Sequence, residues 1–215
     1  METLIALIVL LFSTTASAWQ FEAGIGQTTY NPVANGTWYQ DGFQHTLNLK
    51  HSSFMLGVTG RVNSWLIWHT DYEYLGRASE NSWDTPSDAN YNPSTPNHCN
   101  GPCLPLANYV GHGRVQGVAL TLAPEYRLKD GLRVFANIGP FLYRSTWHEA
   151  VYNWFGQTVY LNHHTRWQIG AKLGVGIRGR HIGLEYDWYP SLHTTGDSIP
   201  ALYSGAKVIS IIGYF

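Results

Sequence analysis

The 215-residue chain carries 13 basic and 14 acidic side chains, and its charged residues make up 13% of the sequence while aromatic ones reach 14%. Near-neutral charge gives no electrostatic footprint for nucleic acid. Nothing in the composition marks disorder or low complexity, so one domain with a substantial core is expected. Nine Trp and fourteen Tyr are many for a soluble domain and usual where rings sit at a membrane interface.

Residues 4–12 form an apolar run followed by Ser13-Thr14-Thr15-Ala16-Ser17-Ala18. The Ala16-x-Ala18 pattern is one that a signal peptidase cuts. Residues 1–18 therefore read as a signal peptide and 19–215 as the mature domain, although no Lys or Arg precedes the apolar run. That run is too short to cross a bilayer as a helix, which needs about 20 apolar residues.

No later segment has enough consecutive apolar residues for a transmembrane helix, so any membrane span must be a closed barrel. Period-two alternation supports one. Candidate strands occupy 19–30, 51–62, 65–75, 114–127, 133–142, 167–178, 182–188 and 203–215. The clearest runs from Trp167 to Arg178, where every odd position is apolar and every even one is Gly or polar. Ile182, Leu184, Tyr186 and Trp188 alternate in the same way with Gly183, Glu185, Asp187 and Tyr189. The fold class expected is all-β: a closed, eight-stranded antiparallel transmembrane barrel with lipid outside and a crowded lumen.

Short turns near Asn63, at Lys129-Asp130-Gly131 and at Gly179-Arg180 alternate with long connections at about 31–48, 77–113, 147–165 and 192–202. Outer-membrane barrels keep short turns in the periplasm and long loops outside. Trp65, Tyr126 and Phe215 fall at the periplasmic level, and Tyr74, Trp167 and Trp188 at the outer level, as two aromatic girdles. Glu22, Arg61, Asp71, Glu73, Glu125, Arg127, Lys172, Arg178, Glu185 and Asp187 lie on the face opposite the apolar one. That argues against a soluble sandwich and predicts a charge network in the lumen.

The long connections hold large amphipathic side chains suited to contacts: Trp38, Tyr39, Trp83, Tyr91, Tyr109, Trp147, Tyr152, Trp154, Phe155 and Tyr160. Cys99 and Cys103, in Cys99-Asn100-Gly101-Pro102-Cys103, would form a disulfide in an exported chain. Closing so short a loop constrains the unfolded chain by roughly 2 kcal/mol. A zinc site using His98, Cys99, Cys103 and His112 competes with that reading but matches no structural-zinc spacing. His148, His163, His164 and His193 place further imidazoles in the outer connections, where protonation near pH 6 changes their charge.

The leader, the eight alternating segments, the Gly-rich stretch from Gly170 to Gly176, Gly183-Leu184-Glu185-Tyr186 and the terminal Phe215 resemble the small outer-membrane barrel superfamily that includes OmpX, Ail, the phage-encoded Lom proteins and the transmembrane domain of OmpA. The resemblance covers the whole mature chain and is architectural. It implies a monomer in the outer membrane, in contact with lipid and lipopolysaccharide, with Phe215 read by the barrel-assembly machinery. The long second connection is similar to those of barrels encoded in phages and prophages. Gly213 departs from the pattern, since the family usually has an aromatic or large apolar residue there. Both parities of the last strand present apolar side chains, Ile209 and Ile211 on one and Val208 and Ile212 on the other.

Three functions fit such a chain. The leading one is a surface interaction protein whose loops meet an extracellular partner, as in adhesion, serum resistance or phage exclusion. A lipid A modifying enzyme needs a Ser beside a His; His51-x-Ser53 qualifies by spacing, but a lipid-facing Phe54 turns both into the lumen. Ser191, His193 and Asp197 cluster near another strand end. A narrow pore is the third reading, opposed by paired charges that would plug eight strands. No cofactor, metal or catalytic residue is assigned.

Overall fold

The computed structural model describes residues 19–32, 37–40, 43–84, 107–152, 157–192 and 203–215. Its strands are β1 (Gln20–Pro32), β2 (Thr37–Gln40), β3 (Phe43–Asn48), β4 (Lys50–Arg61), β5 (Leu66–Asp84), β6 (Ala107–Arg127), β7 (Arg133–Tyr152), β8 (Thr158–Arg178), β9 (Ile182–Tyr189) and β10 (Tyr203–Tyr214). Each of the eight strands β1 and β4 to β10 pairs antiparallel with two neighbours, which closes the barrel. β1 seals the cylinder by pairing with both β4 and β10, and Phe21 and Phe215 exchange backbone hydrogen bonds at the seam. The β2–β3 hairpin is an appendage, with Leu47 and Asn48 set opposite Glu80 and Ser79 of β5.

Burial along the strands is inverted relative to a soluble protein. Ile25, Leu56, Leu122, Ile138, Ile169 and Ile211 are exposed, whereas Glu22, Asp71, Glu73, Lys172, Glu185 and Asp187 are buried. Lipid is a solvent for the first set, and only mutual pairing inside the barrel accommodates the second. The last strand follows the parity in which Phe215, Ile211, Ile209 and Lys207 face outward, while Val208, Ile212 and Tyr214 pack inside.

The three short turns sit where the sequence places them. Asn63 Oδ1 accepts hydrogen bonds from Trp65 N and Leu66 N, both at 2.9 Å, an Asx-type stop for β4. Asp130 (φ 62°) and Gly131 (φ 80°) take left-handed backbone between β6 and β7, and Gly179 N donates to Ile182 O before β9.

The outer connections differ from the expected ones. Residues 37–40 and 43–48 form the β2–β3 hairpin, and 77–84, 107–113, 147–152 and 158–165 are strand because β5 to β8 continue well past the apolar band. Above the band the outward face is polar and the inward face mixes Ala78, Trp147 and Val151 with Glu80 and Glu149, so hydrophobic alternation fades although backbone pairing continues. β5 also contains a bulge: Tyr74 is opposite Gln116, but the next pair is Arg77 with Arg114. Gly76, at φ +84°, makes this bend, and its carbonyl accepts a hydrogen bond from Tyr30 Oη at 3.1 Å. Inward positions are odd below the bulge (Ile67, His69, Asp71) and even above it (Ala78, Glu80).

Candidate functional site

Two regions of the barrel gather chemistry-bearing side chains: the lumen, and the outer wall just above the apolar band. In the lumen, Lys172 of β8 reaches Glu73 of β5 at 2.6 Å, Asp187 at 3.3 Å and Glu185 at 3.5 Å. Tyr189 Oη donates to the second oxygen of Glu73 at 2.6 Å, and Asn137 donates to both Glu185 and Asp187. His69 Nδ1 lies 2.9 Å from Glu22 Oε1, and ligand-type atoms of Glu22, His69 and Asp71 fall within 4.8 Å of one another. Nearer the periplasm Glu125 gathers Arg61 at 3.1 Å, Arg133 at 3.3 Å and Arg178, whose guanidinium lies 5.2 Å from the centre of the Tyr214 ring.

Nine of the ten charges placed inward from the sequence therefore sit in these three lumen groups, and Arg127 is the exception, exposed at the periplasmic end of β6. His69, Asn137 and Tyr189 complete the network. Their inward phase is legible, since His69 shares the parity of Asp71 and Glu73, and Tyr189 that of Glu185 and Asp187. The outer half of the lumen is not ionic. Tyr30, Leu75, Phe141, Tyr143, Trp147 and Leu192 form a buried apolar cluster there. Trp147, expected as an exposed loop anchor, is instead 1% exposed and points inward, because β7 continues in register through it. Beside the ionic cluster a cavity of about 10 Å³ is lined by Ser53, Glu73, Asp187, Tyr189 and Ser210.

On the outer wall, strand register arranges side chains in rows across β5, β6, β7 and β8. Tyr72, Val118, Leu142 and Ile169 form the last apolar row. Above it come Tyr74, Gln116, Arg144 and Trp167, then Arg77, Arg114, Thr146 and Thr165, then Ser79, His112, His148 and His163. Arg77 and Arg114 are exposed and directly opposite each other. The imidazoles of His112 and His148 stack with centres 5.2 Å apart, and those of His148 and His163 at 4.2 Å, with interplanar angles of 17° and 18°. Burial against the sheet lowers the pKa of His112 and of His148 below the usual histidine value; Arg77, His148 and Arg114 add to the effect at His112, and His163 and both arginines at His148. Thr165 Oγ1 lies 3.1 Å from His163 Nε2, and a groove of about 410 Å³ runs beside the row, lined by Val110, Glu149, Ala150, Tyr152 and Leu161 with the three histidines.

The sequence marked His148 and His163 as loop residues and tied His112 to the cysteines. Register unites the three on strands, while His164 takes the opposite parity on β8. Trp38 and Tyr39 lie on β2, Trp83 on β5, Tyr109 on β6 and Tyr160 on β8. Tyr91, His98, Cys99, Cys103, Trp154, Phe155, His193 and Asp197 lie outside the described residues. Ser53 is buried in the lumen wall, and the carbonyl of Ser191 accepts a hydrogen bond from Tyr143 Oη at 3.0 Å.

A closed eight-stranded barrel with an apolar outer band, a charged lumen and short turns at one end is an integral outer-membrane protein of a Gram-negative bacterium. The sequence matches the family model described as the OmpA-like transmembrane domain over residues 14–176, and the chain belongs to that family. Among solved structures it is similar to Neisserial surface protein A, at a TM-score of 0.49 and 10% identity over 94% of this chain and all 100% of that one. It is also similar to Ail, the attachment invasion locus protein of Yersinia pestis, in complex with the heparin analogue sucrose octasulfate (TM-score 0.44, 12% identity, 92% of this chain and 99% of that one). Among curated proteins, none matches the chain.

Proposed function

We propose that the protein is a surface-display barrel, sealed through its centre, whose outer wall grips the phosphates of lipopolysaccharide while its connections meet an extracellular partner. The observation that carries the lipopolysaccharide contact is the pair Arg77 and Arg114, set directly opposite each other one row above Arg144 and Trp167. Like charges facing each other across two strands destabilise the sheet unless an anion lies between them, and guanidinium is the side chain best matched to phosphate oxygens. Lipopolysaccharide offers phosphates at this depth, just outside the acyl chains.

Display fits the lumen better than conduction, since ionic and aromatic clusters fill its described length. A lipid A enzyme needs a nucleophile open to the outer leaflet, and Ser53 is turned away from it. Within this reading, residues 1–18 are the export leader, Cys99 and Cys103 close a surface loop, and the outward-facing Phe215 is the handle for barrel assembly. The chain acts as a monomer.

The test compares wild type with R77Q/R114Q, refolded in detergent with and without lipopolysaccharide. Lipopolysaccharide should raise the urea midpoint of the wild type and have a much smaller effect on the double variant, and dephosphorylated lipopolysaccharide should resemble no addition. An equal rise in both proteins would remove the arginine pair from the reading. In cells, lipid A mass spectra should be the same with and without the barrel; a gained or lost acyl chain would establish an enzyme instead.

A further inference from the structure

We propose that His112, His148 and His163 form a surface site for one transition-metal ion of the zinc, nickel or copper(II) class. The site stands apart from the lipopolysaccharide reading and survives its failure. Three neighbouring antiparallel strands each contribute one imidazole to a single row, with His148 opposite both others. Cross-strand neighbours on one face have Cβ atoms about 4.5–5.5 Å apart, so the outer two rings can lean over the central one and direct a nitrogen at a common point about 2.0–2.1 Å from each. Rotation about the side-chain bonds converts the stacked arrangement into a three-nitrogen face, leaving a fourth position for water or an anion.

The surroundings select the ion. Ser79, Thr146, Thr165, Val110 and Ala150 flank the row on the outer wall, and none of them is a carboxylate. Glu149, the carboxylate that lines the groove, follows the inward parity of β7, where its Oε2 accepts a hydrogen bond from Trp147 Nε1 at 3.3 Å. Magnesium and calcium require oxygen donors and gain nothing here. Arg77 and Arg114 repel any cation, so only one that bonds strongly to imidazole nitrogen is retained, and affinity in such a site rises along the first-row series to copper(II). The 410 Å³ groove gives the ion an open approach.

The test titrates the folded barrel in detergent micelles with zinc chloride at pH 7.5, following heat by calorimetry and histidine ¹⁵N shifts by NMR. One zinc per chain is expected, with shifts in His112, His148 and His163 together. H148N should weaken binding roughly tenfold or more, the triple variant H112N/H148N/H163N should abolish it, and H164N, whose side chain has the opposite parity, should leave it unchanged. Gel mobility of unboiled samples confirms that each variant is folded. No binding by the wild type up to millimolar zinc would overturn the proposal. So would undiminished binding by the folded triple variant, which would place the ion elsewhere, as at Glu22, His69 and Asp71.

Discussion

Lys172 Nζ lies 2.6 Å from Glu73 Oε1 across the lumen, joining β8 to a residue 99 positions earlier on β5. The lysine is 1% exposed and is the cation shared by Glu73, Glu185 and Asp187. Lys172→Met would leave three carboxylates buried without it, and breaking a buried pair in this way costs about 3–5 kcal/mol. Glu185→Leu leaves Lys172 two carboxylate partners and should cost clearly less. Urea midpoints of the refolded proteins decide the matter; equal losses would show that the lysine is not the centre of the network.

Trp147 lies flat across Gly111 and Gly113 in the outer half of the lumen. A Cβ on Gly113 would come within 2.6 Å of Trp147 Cε3 and 2.8 Å of Thr146 O. Gly113→Ala should therefore overpack the interior at a cost of about 1–3 kcal/mol. In a Trp147→Leu background much of that cost should vanish, since the ring that it strikes is gone. Additive losses in the double variant would show that the backbone contact, and not the indole, sets the penalty.

Ile138 is 60% exposed in the middle of the apolar stretch of β7, between Leu122 and Leu173. Ile138→Lys should destabilise the barrel in bilayers by about 2–4 kcal/mol, the cost of a lysine near the midplane, while Thr165→Lys above the band should cost about 0–1 kcal/mol. Folding titrations in phosphatidylcholine vesicles measure both. A similar cost at the two sites would move the membrane boundary away from the row of Arg144 and Trp167.

His112 and His148 should titrate below 6.5 in ¹⁵N-resolved NMR, since burial and the facing arginines disfavour their charged forms. Because the folded state binds these protons less readily than the unfolded chain, stability is full above about pH 6.5 and falls as pH drops through the unfolded value towards the folded ones. Ser79, Arg77, Arg114, Thr146, Thr165 and His163 are the polar groups facing the pair on the outer wall. Arg77→Gln should raise both midpoints, and more at His112, where Arg77 ranks next to burial. Unmoved midpoints would exclude the arginine from that environment.

The phases of β8 and β9 were legible because lipid and lumen impose opposite polarity over whole spans, as from Trp167 to Arg178, and that of β7 showed in its outward residues and in Asn137 although Phe135 and Phe141 point inward. β10 was not, because its inward residues Val208, Ile212 and Tyr214 are as apolar as its outward ones and meet apolar interior clusters. Above the membrane the outward face is polar and the inward one holds both apolar and acidic side chains, so the long extensions of β5 to β8 left no periodic signal. His148 and His163 were visible as a pair of candidate imidazoles, yet their union with His112 depends on the register of three strands. Trp147 looked like a loop anchor for the same reason: nothing local tells a tryptophan outside a barrel from one that fills it.

The bulge at Gly76 confines the consequence of one additional residue to a single bend. Were that residue threaded straight through the ladder, the alternation of β5 would run on unbroken and everything beyond it would be turned inside out. Arg77 and Ser79 would enter the lumen, and Glu80 would enter the anionic headgroup layer. One kink in the backbone thus works as a phase corrector, keeping the Arg77 guanidinium on the outer wall and the Glu80 carboxylate inside.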